Sequence, residues 1–162
     1  MSSSDRRTFL IATLALAGCG FRPAFAPGGP AERLRGSIRA DDPTDKAGFD
    51  LVRRLEERLD RPSTPRFDLG YQISTDIAAV GITVDDSITR YNMSGKVAYT
   101  LTARAGGQVV TRGTVSSFTS WSATGSTVAA LSAEDAARTR LMRILADEIV
   151  TQLIGSSGRW LK

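Results

Sequence analysis

The order of two sequence patterns constrains the fold more than any other feature of the chain. One pattern is the alternation of apolar and polar residues, and the other is the spacing of apolar residues along an amphipathic helix. Apolar and polar residues alternate over residues 33–40, 67–74, 93–104 and 109–121. A period of two residues predicts half-buried β-strands. One helical stretch lies between the first and second strands, and another follows the fourth. The predicted order is therefore β-α-β-β-β-α.

The first predicted helix begins at Thr44 or Asp45, either of which can serve as its N-cap, and ends at about Asp60, before Pro62. Four residues fall within one stripe about 100° wide, which predicts a face turned toward the core: Leu51, Val52, Leu55 and Leu59. Oppositely charged residues spaced four apart predict a solvated surface on the other side: Asp50 with Arg54, Arg53 with Glu57, and Glu57 with Arg61.

The second predicted helix has Ser132 as its N-cap and ends at about Ile154, before Gly155. Its apolar stripe consists of Ala137, Leu141, Ile144, Leu145, Ile149 and Leu153. Glu148 falls near the centre of this stripe, where an unpaired carboxylate is costly. Either the stripe leaves the core at that turn, which we favour, or Glu148 pairs with an arginine.

Each predicted helix has a single apolar stripe, so both helices are expected to pack on the same side of the sheet. The predicted fold is an α+β two-layer sandwich, with two helices on one face of a four-stranded, mostly antiparallel sheet. The other face would carry a largely basic set of side chains: Arg33, Arg35, Arg39, Gln72, Lys96 and Arg104. That face is left for a partner or for water.

The glycine pair at residues 106–107 leaves two registers open for the last hairpin. A two-residue turn would place Leu101 opposite Arg112 and bring an arginine onto the buried face. A three-residue loop would place Tyr99 opposite Val115. We favour the second register, because a slip of one residue exchanges the two faces of the whole strand.

Residues 1–18 have the layout of a bacterial lipoprotein signal. Arg6 and Arg7 precede a nine-residue apolar run, and small residues lead directly to Cys19. The run is shorter than the roughly 20 apolar residues of a membrane-spanning helix. We expect a lipidated mature N-terminus at Cys19, the single cysteine, whereas the alternatives are an ordinary secretory signal and an uncleaved anchor. The general secretory route and the twin-arginine route both stay open.

The expected organisation is a signal peptide over residues 1–18, a flexible tether over residues 19–30 and one α+β domain over residues 31–162. Proline and glycine dominate the tether. Removal of the signal leaves 144 residues with a net charge of +3, and most of their basic residues are arginine. Arginine suits an anionic partner, although a GC-rich genome produces the same bias.

Composition argues against catalysis. The chain has no histidine, the commonest general base and metal ligand, and its one cysteine is expected to carry lipid. The sequence has no nucleophile motif and no glycine-rich phosphate loop. We expect no enzyme activity, no catalytic residues, no metal and no cofactor.

Several parts of the chain together resemble the LPS-assembly lipoprotein family. They are residues 16–23, the early strand and helix, residues 90–92 leading into the strand at 97–101, and the closing helix over residues 136–149. The resemblance implies a non-enzymatic outer-membrane lipoprotein that plugs a large β-barrel partner, binds lipopolysaccharide and helps to insert it into the outer leaflet. Gly20 follows the lipidated cysteine in place of the aspartate that retains lipoproteins in the inner membrane. We therefore expect an outer-membrane, lipid-anchored protein that faces the periplasm, with no nucleic-acid partner.

A second function fits the same signal, size and composition. The chain would then be an accessory lipoprotein of another envelope machine, for protein-barrel assembly or for lipid transport. A small periplasmic hydrolase is the enzyme alternative, which the missing histidine and nucleophile motif disfavour.

The most specific site hypothesis concerns the basic sheet face. Alternation predicts three arginines on one side of a single strand, about 6.6 Å apart: Arg33, Arg35 and Arg39. With Lys96 and Arg104, they suit the phosphates of lipopolysaccharide or acidic groups on the barrel wall, whereas a solvated strand face is the alternative. The loops around Arg90 and Arg112 are the next candidates for an anion site.

Overall fold

A computed structural model describes residues 26–82, 88–123 and 126–161. The elements in chain order are α1 (Pro30–Leu34), β1 (Ile38–Ala40), α2 (Lys46–Leu59), β2 (Phe67–Ile82), β3 (Ile88–Ala103), β4 (Val109–Ser122) and α3 (Thr127–Ser156), followed by a 3-10 turn at Ser157–Arg159. The expected signal peptide, Cys19 and most of the tether lie outside the described residues.

The four strands form one sheet in the order β1-β2-β3-β4. Strand β1 runs parallel to β2, with Ile38 opposite Phe67. The β2–β3 and β3–β4 pairs are antiparallel. The α+β class and the order β-α-β-β-β-α of the principal elements are confirmed, in a mixed sheet because the helical crossover α2 returns the chain parallel to β1.

Helix α2 begins after Asp45, whose side chain accepts a hydrogen bond from the backbone N–H of Gly48 at 2.7 Å, one of the two predicted N-caps. The predicted stripe of α2 is buried at all four positions. Helix α3 packs so closely on β3 that a Cβ atom added to Gly95 would lie 2.9 Å from the Leu141 side chain. The sheet and the two long helices therefore enclose one core.

The buried face of α3 differs from the predicted stripe, because it gains Met142, Ala146 and Val150 and lacks Ile144, which is partly exposed. It consists of Ala137, Leu141, Met142, Leu145, Ala146, Ile149, Val150 and Leu153. The additional residues move the centre of this face away from Glu148, which lies partly exposed at its margin. The favoured interpretation, that the apolar stripe leaves the core at the turn of Glu148, is wrong, because Ile149 and Val150 remain buried after that turn. The alternative, that Glu148 pairs with an arginine, is also wrong, since no arginine among the described residues lies within ion-pair distance of it.

The predicted strand over residues 33–40 is wrong in its first half. Residues Pro30–Leu34 form α1, with the proline in the first turn, where it costs no hydrogen bond. Gly36 has a φ of 63° and turns the chain, and its N–H donates to the Leu59 carbonyl. Only Ile38–Ala40 pair with β2, so Arg33 and Arg35 are not part of the sheet.

Other element boundaries also differ from the predictions. Helix α3 begins after Ser126, whose side chain accepts the Ala129 N–H, so Ser132 lies within the helix. Strands β2 and β3 continue through much of residues 75–90, which lack clear alternation. Alternation is lost there because most β2 side chains from Ser74 onward are exposed whichever way they point.

The last hairpin adopts neither predicted register. Tyr99 lies opposite Gly113 rather than Val115, two residues from the favoured register. The observed register differs from the favoured one by two residues, and an even shift keeps each side chain on its predicted face. Arg112 therefore lies opposite Thr100 on the face away from the helices. It stays out of the core, as predicted, but the predicted loop length is wrong.

The turn between β3 and β4 accounts for this difference. The backbone N–H of Ala103 donates to the carbonyl of Gln108 at 2.8 Å, so four residues make the turn. Gly106 and Gly107 have φ values of 96° and 67°, which glycine adopts without strain. A bulge beside the turn takes up one further residue on β4.

No helix in the described part of the chain combines the length and the apolar composition that crossing a bilayer requires.

Candidate ligand-binding face

One side of the sheet is not covered by any element of the described residues, and we call it the open face. Alternation along β2, β3 and β4 places on it mainly small polar side chains: Gln72, Ser74, Asp76, Ser94, Lys96, Ala98, Thr114, Ser116 and Phe118. Their neighbours in sequence on β3, such as Met93 and Val97, are fully buried under the helices. The two sides of the same strands therefore have opposite character.

Three cations project from the open face and have no carboxylate partner in the described part of the chain. Arg90, Lys96 and Arg112 share this face because they lie opposite Ser122, Ser116 and Thr100 in one continuous ladder. No Asp or Glu oxygen of residues 26–82, 88–123 and 126–161 lies within 4.0 Å of their charged nitrogens. All three belong to the predicted anion-binding set.

Three other members of that set are already paired. Arg35 binds Asp60 with N···O distances of 2.9 and 3.2 Å, and this hydrogen bonding raises the pKa of its guanidinium. Arg39 lies 3.3 Å from Asp42. Arg104 reaches Asp68 on the neighbouring strand at 2.8 Å. These guanidinium groups have carboxylate partners before any ligand arrives.

The proposed row of three arginines on one strand is therefore wrong. Arg33 lies on α1 and Arg35 caps it, and only Arg39 belongs to β1. The strand that does align predicted cations is β3, where Arg90 and Lys96 are six residues apart. Six residues of strand span about 20 Å, so these two groups address separate anions rather than one.

Lys96 stands in a shallow hollow near the middle of the open face. The hollow has a volume of about 450 Å³, and its lining includes Ser74, Ser94, Ser116 and Phe118. The lysine supplies a point charge for a phosphate, the hydroxyl groups donate and accept hydrogen bonds, and the Phe118 ring offers an apolar surface. A sugar phosphate has a phosphate for the lysine, hydroxyl groups for the serines and an apolar sugar face for the Phe118 ring.

The end of the sheet near Arg90 exposes large apolar side chains. Ile77 is 44% exposed, Val80 56% and Ile88 39%, while Val128 on the first turn of α3 is 77% exposed. We did not predict these residues as a site. The sequence does contain an indication of these exposed apolar residues. Residues 77–82 are mostly apolar but lack the alternation of a half-buried strand.

Polar side chains of α2 and α3 meet along the seam between the two helices. The buried Asp50 accepts a hydrogen bond from Thr139 at 2.8 Å and lies 3.4 Å from Lys46. Arg54 donates to both carboxylate oxygens of Asp147, at 3.1 and 3.0 Å. The predicted pairing of Asp50 with Arg54 is wrong, because both side chains turn toward α3.

The outer side of α2 carries exposed ion pairs. Arg53 pairs with Glu57 at 3.3 Å, as predicted, whereas Arg61 pairs with Glu56. A hydrogen bond from Arg54 is the main reason that the pKa of Glu57 lies below its ordinary value. Pairs of this kind contribute little to stability, but they leave few cations free on the helical side.

Within the described ranges, no three potential metal-ligating side chains converge. The open face offers separated cations, hydroxyl groups and one exposed ring, which suit an extended ligand with several anionic and polar groups.

Sequence comparison finds similarity to one protein family. The model of the LptE family, described as lipopolysaccharide-assembly, matches residues 36–153. The match includes all four strands, α2 and nearly all of α3. No curated protein sequence matches the chain.

Solved structures of bacterial lipoproteins have a similar fold. A putative lipoprotein from Caulobacter crescentus is 20% identical, with a TM-score of 0.66 over 78% of this chain and 93% of its own. Rare lipoprotein B from Shewanella oneidensis is 11% identical, with a TM-score of 0.56 over 75% and 94%. A minor lipoprotein from Acinetobacter baumannii is 15% identical, with a TM-score of 0.52 over 74% and 91%. At such identities, these similarities describe the fold alone.

Proposed function

Because this chain belongs to the lipopolysaccharide-assembly family LptE, we propose that it is a lipid-anchored outer-membrane protein that binds lipopolysaccharide through the open face. It acts without catalysis, cofactor or nucleic acid. Its protein partner is a large outer-membrane β-barrel, which it plugs while the lipopolysaccharide passes to the outer leaflet.

The observation that carries the ligand proposal is a hydroxyl-rich surface that no described element covers, with cations that have no carboxylate partner among the described residues. Arg90 and Lys96 lie on the same side of β3, and Arg112 lies on the same side of β4. Lipopolysaccharide presents phosphate groups at separated positions among sugars. Cations spaced along a strand match that distribution better than a tight cluster would.

The membrane attachment rests on the N-terminal sequence. We propose cleavage before Cys19 and lipidation of its sulfur and its new amino group, with residues 19–30 as the tether to a domain over residues 31–162. Three acyl chains exceed the two membrane signals that stable anchoring requires. Mass spectrometry of the mature protein tests this, and an unmodified thiol or a different first residue contradicts it.

Charge reversal on the open face tests the ligand proposal. A variant with Arg90→Glu and Lys96→Glu should bind lipopolysaccharide micelles at least about tenfold more weakly at low salt, because each charge-assisted hydrogen bond contributes about 1.5–3 kcal/mol. Its binding should also lose most of its salt dependence. Thermal stability should stay nearly unchanged, since neither side chain is buried.

The matched control is Arg143→Glu, which reverses an exposed cation on the helical side that has no carboxylate partner in the described part of the chain. This control should bind as the wild-type protein does. Equal losses in both variants would show that net charge, not the open face, determines binding. Unchanged binding of the double variant would contradict the proposal.

Co-purification separates the proposed function from its main alternative. The full-length protein, expressed in its own cells and extracted in detergent, should carry one large outer-membrane β-barrel that handles lipopolysaccharide. Recovery with the protein-barrel assembly machinery or with a lipid transporter would instead support an accessory role in another envelope machine.

A further inference from the structure

Strand β4 forms an edge of the sheet. It has 14 residues, and β3 is its only strand neighbour within the described residues. It contains no lysine and no proline, residues that commonly protect exposed edges from further pairing. An exposed edge of this length is able to accept another strand.

The hydrogen bonds to β4 show which backbone groups face outward. The carbonyl of Thr114 accepts a hydrogen bond from Gln152 at 3.4 Å, and the carbonyl of Ser120 accepts one from Arg140 at 3.1 Å. Backbone groups of alternate residues point to the same side of a strand. The N–H and C=O groups of Ser116 and Phe118, between those two positions, therefore also point away from β3.

Helix α3 runs beside this edge and covers it only in part. Arg140 and Gln152 contact the two ends of the stretch from Thr114 to Ser120. At 100° per residue, Ile144 and Glu148 fall inside the arc that Arg140 and Gln152 bound, so they lie toward the middle of the edge. Both are partly exposed. The middle of β4 is thus flanked by one apolar and one acidic side chain.

Glu148 has no cation within 4.0 Å among residues 26–82, 88–123 and 126–161. Antiparallel pairing of β4 with β4 of a second copy, centred near Ser117, would bring two Glu148 carboxylates toward each other. Like charges at such an interface are unfavourable. The Glu148 carboxylate therefore favours pairing of β4 with a different chain that places a basic side chain beside it.

We propose that the β4 edge between Thr114 and Ser120 docks an extended segment of the β-barrel partner by strand addition. The segment exchanges backbone hydrogen bonds with Ser116 and Phe118, and a lysine or arginine on it pairs with Glu148. This inference rests on the proposed function for the identity of the partner, but it concerns the outward backbone groups at the β4 edge, whereas the ligand proposal uses side chains of the open face.

A proline substitution tests the backbone hydrogen bonds. Ser116→Pro removes an outward N–H and leaves the ladder to β3, a position at which edge strands tolerate proline. The variant should retain at least about tenfold less β-barrel protein in detergent co-purification than wild type does. Ser116→Ala, which keeps the N–H, should retain the wild-type amount.

Three further measurements keep the result interpretable. Both Ser116 variants should unfold at nearly the same temperature as the wild-type protein, which excludes misfolding of the proline variant. In the wild-type complex, amide hydrogen exchange at Ser116 and Phe118 should slow at least about tenfold relative to the free protein. Glu148→Lys should lower β-barrel recovery more than Glu148→Gln does.

The outcomes are distinguishable. A wild-type protein that recovers no β-barrel overturns both the proposed partner and the docking inference. Normal β-barrel recovery by Ser116→Pro, or unchanged exchange at Ser116 and Phe118 in the complex, overturns strand addition alone. A wild-type dimer that Ser116→Pro abolishes would assign the edge to a second copy and would also overturn the inference.

Discussion

The two faces of the sheet are built from the same strands and differ in burial and chemistry. On the helix-covered face, apolar side chains such as Met93, Val97 and Leu101 are completely buried. On the open face, their sequence neighbours Ser94, Lys96 and Ala98 are exposed. Stability should therefore depend on the covered face and ligand binding on the open face, and substitutions in one should leave the other property nearly unchanged.

The largest expected difference concerns Leu145, which is completely buried in α3. Leu145→Ala should lower the free energy of unfolding by about 2–5 kcal/mol, because it removes apolar contacts and leaves a cavity. Phe118→Ala is the open-face counterpart: Phe118 is 67% exposed, and its truncation should change stability by less than about 0.5 kcal/mol. Denaturant unfolding measures both, and equal effects would contradict the division into two faces.

A glycine on each face provides a smaller comparison. Gly95→Ala should destabilise the protein by about 1–3 kcal/mol, because its Cβ would lie 2.9 Å from Leu141 and 3.0 Å from Leu145. Gly70→Ala should be neutral or stabilise by up to about 1 kcal/mol, since the nearest atom, a carboxylate oxygen of Asp41, would be 3.4 Å away. Thermal unfolding of both variants tests this, and a stable Gly95→Ala variant would show that the side chains of Leu141 and Leu145, or α3 itself, can shift to make room for the methyl group.

The covered face was largely predictable from sequence. Burial on one side imposes a period on the chain, so the stripe of α2 and the alternation of β3 identified Leu51, Leu55, Val97 and Leu101 as core residues. The N-cap of α2 was predicted only as Thr44 or Asp45, and the structure has Asp45. The limits of α3 were less clear, since both Ser126 and Ser132 carry a side chain that can cap a helix.

The open face was less predictable because its properties depend on contacts between distant residues. Arg35 pairs with a residue 25 positions away, and Arg104 with one 36 positions away. A sequence shows that these arginines exist but not that their charges are already partnered. Strand position alone did not distinguish them from Arg90 and Lys96, which have no such partner among the described residues.

The smallest expected effect on stability concerns the hydroxyl group of Tyr99, which reaches across Gly113 on the covered face and donates to Gln152 at 2.8 Å. Tyr99→Phe should lower the free energy of unfolding by about 1 kcal/mol near neutral pH, the contribution of one hydrogen bond. On the open face, Ser74→Ala should have no measurable effect.

The pH dependence distinguishes the Tyr99 hydroxyl from simple loss of packing. Burial raises the pKa of Tyr99 above its ordinary value of 10.0. The group therefore contributes stability that is complete below the unfolded-state pKa and is lost as the pH rises through the higher folded-state pKa. Phenylalanine does not ionise, so the difference in unfolding free energy between wild type and Tyr99→Phe should shrink as the pH rises above 10.0. A difference that stays constant over that range would show that the hydroxyl contributes through packing alone.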